Sequence, residues 1–134
     1  MDKYDKDKRI LLVEDNDDLR CILYDLLMHE GYEVHEAYDG SEALHAMGKR
    51  KFDVVLSDYH LPQMDGLRFL TISQSLWPET PVILMSSDAE LLEEATGRAG
   101  RAYACLPKPF ELDQLLQVVH DAAERCASQL YGTA

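Results

Sequence analysis

"VVLSDYHLPQMDGL", Val54 to Leu67, decides how the chain is read. Its opening apolar run is short, continuous and bounded by polar residues, the pattern of a strand covered on both faces in a parallel sheet. The run ends on an acid, Asp58. A loop stiffened by Pro62 follows and closes on Asp65-Gly66, which reads as a turn and helix start. A carboxylate at the mouth of a hydrophobic strand is costly to desolvate unless something pairs with it or uses it.

The same grammar extends in both directions. Upstream, "ILLV" at 10–13 forms a first strand that stops at Glu14-Asp15. Leu19, Ile22, Leu23, Leu26 and Leu27 then fall at helical spacing, with acids at the front and Gly31 past the end, so 17–30 reads as a helix. Asp17 and Asp18 suit the positive end of that helix. "YEVHEA" (32–37) alternates as an edge strand, and Asp39-Gly40-Ser41 supplies a turn and cap before a second helix, "EALHAMGKR". Downstream, 66–77 is a third helix ending in a packed Trp77. Pro78 to Pro81 breaks the chain before a fourth strand, "VILMS". Residues 89–99 form a weak fourth helix interrupted by Gly97 and Gly100. "RAYACL" is a fifth strand, and Leu112, Leu115, Leu116, Val119, Ala123 and Cys126 mark a final helix. Strands alternating with helices imply an α/β fold with a doubly wound, five-stranded parallel sheet and right-handed crossovers.

The 134 residues suffice for one domain and one core. We divide them into a solvated lead-in (1–8), a domain (9–126) and a C-terminal tail (127–134). The lead-in is charged from its second residue and lacks the apolar stretch of a secretory signal. No apolar run approaches membrane-spanning length, and cysteine is odd in number and widely spaced, as for reduced thiols. The expectation is a soluble, cytoplasmic protein. A net charge of −12 opposes binding to nucleic acid and to anionic membranes, and favours a metal cation or a basic protein surface as partner.

In sheets of this kind ligands bind beyond the carboxyl ends of the strands. There the sequence places Glu14-Asp15 after strand 1, Asp58 at the end of strand 3, Ser86-Ser87 after strand 4 and Lys108 after strand 5. If strands 1 and 3 are neighbours, three carboxylates crowd together. Two unit charges about 5 Å apart repel by roughly 3 kcal/mol at an effective dielectric near 20, so the cluster calls for a cation. A small group of oxygen ligands suits Mg2+. A metal, an ammonium and a hydroxyl together match the needs of a phosphoryl group in transfer. No glycine-rich phosphate cradle follows any strand. Asp58 itself is then the candidate nucleophile, accepting phosphoryl as a covalent aspartyl phosphate.

"ILLVEDN", "DVVLSDYHLPQMDGL", "PVILMSS" and "LPKPF", in this order, resemble the receiver domain of two-component response regulators (the CheY-like family) over about residues 8–126. The resemblance implies a flavodoxin-like strand order of 2-1-3-4-5. It implies a signalling switch rather than a turnover enzyme, with Asp58 as phosphoacceptor from a histidine kinase or histidine phosphotransfer protein. Asp15, Asp58 and the backbone carbonyl of His60 would bind Mg2+, with Glu14 acting through a metal-bound water. Lys108 would pair with the phosphoryl oxygens, and Ser86 would hydrogen-bond to them. The family also carries a cis peptide before the proline after this lysine, here Lys108-Pro109. Two positions depart from the pattern. Ser87 stands where a small alanine-like residue is usual, and Cys105 replaces the aromatic three residues before the lysine. Tyr103 falls on the same strand face by the two-residue period and would fill that place only with a shift of the strand end. A homodimer, if formed, is expected on the face of helix 4, strand 5 and helix 5.

Two other functional classes remain open from the sequence. A phosphohydrolase forming an aspartyl phosphate usually carries a second acid two residues after the nucleophile, and Asp58-Tyr59-His60 lacks it. A receiver-like interaction module that is never phosphorylated is the other. His29, His35, His45 and His120 show no ligand spacing and read as surface or packing residues.

Overall fold

The computed structural model describes residues 8–96 and 102–132. The elements run β1 (Arg9–Val13), α1 (Asp17–His29), β2 (Glu33–Ala37), α2 (Gly40–Lys49), β3 (Val54–Asp58), α3 (Gly66–Leu76), β4 (Val82–Ser86), α4 (Ala89–Thr96), β5 (Ala104–Pro107) and α5 (Leu112–Gly132). All the pairings are parallel, in the order β2-β1-β3-β4-β5. This is the doubly wound α/β architecture expected from the alternation, with the flavodoxin-like order that the resemblance implied.

Each strand contributes alternate residues to two cores, as the period of the pleat requires. Ile10, Leu12, Val54, Leu56, Ile83, Met85 and Leu106 pack with Leu23 and Leu27 of α1 and with Leu115 and Val119 of α5. Leu11, Val13, Val55, Val82 and Leu84 pack with Ala43 and Met47 of α2, Phe69 and Leu70 of α3, and Leu92 and Ala95 of α4. Every residue of β3 and β4 is buried, which explains why both strands lack a polar face.

Helix starts are set by side-chain caps. Asn16 accepts from the Leu19 amide at 2.9 Å, Asp39 from Glu42 at 2.7 Å and Asp65 from Arg68 at 2.8 Å. Asp65 is thus a helix cap, as its sequence context indicated. Gly31, at φ 100°, ends α1 in the left-handed region that favours glycine. At Gly66 a Cβ would lie 2.7 Å from Tyr59 Cα and 2.9 Å from Tyr59 O. That close approach brings the Gly66 amide within 2.6 Å of the Tyr59 carbonyl, folding the 59–65 loop back on the strand end.

Two boundaries depart from the sequence expectation by three residues or more. β5 begins at Ala104 rather than at residue 101, and residues 97–101 lie outside the described residues. α4 is described as far as Thr96, so the last part of the expected 89–99 helix lies outside them too. α5 runs on to Gly132, through residues read as a tail. Its helical spacing weakens after Cys126, but residues 127–131 contain no glycine or proline to stop it.

Candidate functional site

Glu14, Asp58, Ser86 and Lys108 are placed by one rule: each ends a strand or lies one residue beyond it. Because β3 lies between β1 and β4, those ends converge. One oxygen from each of Glu14, Asp15 and Asp58 lies within 4.8 Å of the others, the sole acidic or histidine cluster with ligand spacing among the described residues. Glu14 and Asp58 are buried, at 1% and 6% exposure, while Asp15 faces solvent.

The Asp58 carboxylate is held at both oxygens. Lys108 Nζ donates to Oδ2 at 2.9 Å and the His60 amide donates to Oδ1 at 3.0 Å. The Lys108-Pro109 peptide is cis, as the resemblance implied, and the Lys108 amide donates to the Ser86 carbonyl at 2.8 Å. Ser86 is 1% exposed, and its Oγ accepts from the Asp88 amide at 3.0 Å, just ahead of α4. With the oxygen accepting there, the hydroxyl still has its own proton to donate.

Glu14 is the strained member. Its Oε2 accepts from the Asn16 amide at 3.1 Å, but its Oε1 is buried without a hydrogen-bond partner. Burial first, and the charge of Asp58 after it, push the carboxyl up to about 7 despite the Asn16 bond. Protonated, Oε1 can donate to Asp58; ionised, it needs a cation. An orphaned oxygen in an all-oxygen set beside two further acids fits a hard divalent ion such as Mg2+.

Two placements revise the sequence reading. Tyr103 precedes β5 and packs against the α1/α5 core, whereas Cys105 packs against the α2–α4 core. The two are therefore not on one face, because the strand period does not extend back to residue 103. Cys105 Sγ lies 3.5 Å from the Leu92 carbonyl, linking β5 to α4. Cys21, set within an apolar helical pattern, faces solvent.

The sequence reading also passed over Arg20. Its guanidinium reaches the Glu14 carbonyl at 2.8 Å, Asp17 at 2.6 Å and Glu36 at 3.1 Å. The available signal was a lone cation after four acids in "EDNDDLR".

Comparison with known proteins agrees with this fold. The family model described as response regulator receiver domain matches residues 10–120. The chain is 38% identical over 116 residues to the regulatory protein AtoC of Escherichia coli K12, covering 87% of this chain and 25% of that protein. A solved signal receiver domain of an HD domain-containing protein from Pseudomonas fluorescens Pf-5 superposes with a TM-score of 0.87, at 31% identity, over 98% of both chains. The response regulator TrrA of Thermotoga maritima, solved in complex with Mg(2+)-BeF, superposes with a TM-score of 0.78 at 29% identity, over 86% of this chain and 98% of that one. Matched curated relatives include transcriptional regulators and sensor histidine kinases, and this chain spans 12% to 28% of their length. No described helix is long and apolar enough to cross a membrane. The chain belongs to the response regulator receiver domain family, a regulatory family of two-component systems.

Proposed function

We propose that the chain is a Mg2+-dependent phosphorylation switch with Asp58 as phosphoacceptor. The observation that carries this is the buried Asp58 carboxylate, fixed by Lys108 and His60 and set within 4.8 Å of two further acids. A histidine kinase or histidine phosphotransfer protein is the donor expected from the family.

In the transfer, an Asp58 oxygen attacks the phosphorus of a phosphohistidine. The P–O bond forms as the P–N bond breaks, and the imidazole nitrogen leaves with the electron pair. Glu14, Asp15, Asp58 and the His60 carbonyl would hold the Mg2+, Glu14 through a water; when bound, the ion offsets negative charge on the transferring oxygens. The Lys108 ammonium, already 2.9 Å from Asp58, neutralises a further oxygen without moving far. The Ser86 hydroxyl supplies a neutral donor, and its bond to the Asp88 amide connects that event to the start of α4.

That connection offers a route for the output. A Ser86 drawn toward a phosphoryl group alters its bond ahead of α4, which Cys105 also contacts through Leu92. The phosphorylated state would favour a different arrangement of the α4–β5–α5 face, changing which partners bind there and offering the surface for any homodimer. With Cys105 replacing the usual aromatic, this chain would couple hydroxyl to surface through the thiol contact instead. The reading makes the domain a regulator with self-phosphorylation chemistry, acting in the cytoplasm beside its kinase.

The test is incubation with acetyl phosphate and Mg2+, followed by intact mass and mapping of the acyl phosphate. Expected is one phosphoryl group on Asp58, lost in Asp58→Asn and on chelation. Label at the same level in Asp58→Asn would overturn the assignment.

A further inference from the structure

Glu14 and Asp15 lie in the short turn between β1 and α1, just past the last strand residue. The Glu14 amide is anchored to the Ala37 carbonyl at 3.0 Å, and the Arg20 amide bonds the Asn16 carbonyl at 2.9 Å. The Glu14 carbonyl, at the centre of the turn, is taken by a side chain from the second turn of α1.

We propose that Arg20 is a positioning residue for the metal-binding acids, its guanidinium fixing the β1–α1 turn so that Glu14 and Asp15 converge on Asp58. The inference rests on the reading of this cluster as a Mg2+ site.

Arg20 joins the separate segments around the acid pair. Nη1 donates to the Glu14 carbonyl, Nη2 to Asp17 in the first turn of α1, and Nε to Glu36 near the end of β2. Its Cζ also lies 5.8 Å from the ring centre of Tyr38, in the β2–α2 connection. The side chain is 16% exposed, against 85% for Asp17 and 42% for Glu36, so the fork is set into the protein while its acidic partners reach inward to it. A planar guanidinium serves several acceptors at fixed angles. A lysine ammonium, a point charge on a flexible stem, does not reproduce that fork. Tyr38, 56% exposed, covers this brace as a large ring otherwise left in solvent.

The sign of the effect separates positioning from plain electrostatics. By charge alone, a cation near a cation site repels the ion, so removing Arg20 would tighten Mg2+ binding. If Arg20 acts by fixing the acids, removing it weakens binding. Loss of a residue that orients metal ligands typically costs on the order of 10-fold to 100-fold in affinity.

The experiment is calorimetric titration of Mg2+ into the full chain, comparing wild type with Arg20→Gln, Arg20→Lys and Asp15→Asn, with thermal melts as a check on folding. Arg20→Gln is expected to weaken binding about 10-fold. Arg20→Lys, which keeps the charge and loses the fork, is expected to fall between it and wild type. Equal or tighter binding by Arg20→Gln overturns the proposal. If that variant does not fold, Arg20→Lys decides: weaker binding supports positioning, and wild-type affinity overturns it. Asp15→Asn distinguishes the underlying reading, because wild-type affinity there means the acids are not the metal site at all.

Discussion

Metal-free, the cost of gathering these acids falls on Glu14, so replacing Glu14 by Gln should change how stability responds to pH. The folded protein holds the Glu14 proton up to about pH 7, whereas the unfolded chain releases it near the ordinary 4.5. Between those values the folded state carries more protons than the unfolded one, so stability from this group falls as pH rises, and the full loss persists above pH 7. At ~1.4 kcal/mol per pH unit of separation, the loss totals about 3 kcal/mol. Glutamine does not titrate. Its amide oxygen can keep the Asn16 bond, and its NH2 group offers Asp58 a donor where Glu14 Oε1 has no partner. Urea denaturation in EDTA from about pH 5 to about pH 8 should show wild type losing ~3 kcal/mol relative to Glu14→Gln. Adding Mg2+ at the upper end should restore stability to wild type more than to the variant. Parallel profiles for the two proteins in EDTA would refute the reasoning, because they would mean that Glu14 titrates alike folded and unfolded.

Other substitutions test the frame around the site. Gly66→Ala places a Cβ 2.7 Å from the Tyr59 backbone, and should cost ~1–3 kcal/mol in denaturant unfolding; a change within about 0.5 kcal/mol would show that the loop yields freely. Asp65→Ala removes the α3 cap at 2.8 Å and should cost ~1 kcal/mol by the same measurement, with Asp65→Ser recovering most of it. Burial raises the Cys105 thiol to about 11, so at pH 8 it should be alkylated by iodoacetamide far more slowly than exposed Cys21; peptide mass mapping showing equal rates would contradict the half-buried placement.

The architecture was legible because strand and helix periods are local properties. Four-residue to six-residue apolar runs such as "ILLV" and "VILMS" mark strands buried on both faces, and they became β1 and β4 in the places read. Boundaries failed where the local signal was weak or was overruled. The apolar character of "RAYACL" began three residues before the ladder did, because pairing with β4 starts only at Ala104 opposite Ile83. α5 continued beyond Cys126, where the helical spacing weakens, since nothing in 127–131 breaks a helix.

The sequence by itself determined which residues end strands, and hence that Glu14, Asp58, Ser86 and Lys108 share one pole of the sheet. Their spacing along the chain requires it once the strands are parallel, whatever their order. Tertiary structure decided the rest. Placing β3 between β1 and β4 brought the acids within 4.8 Å and left Glu14 Oε1 buried and unpaired. The same assembly turned Tyr103 away from the face of Cys105 and joined Arg20 to a carbonyl six residues earlier. These depend on where side chains from different elements point after packing, and no period along a single element encodes that direction.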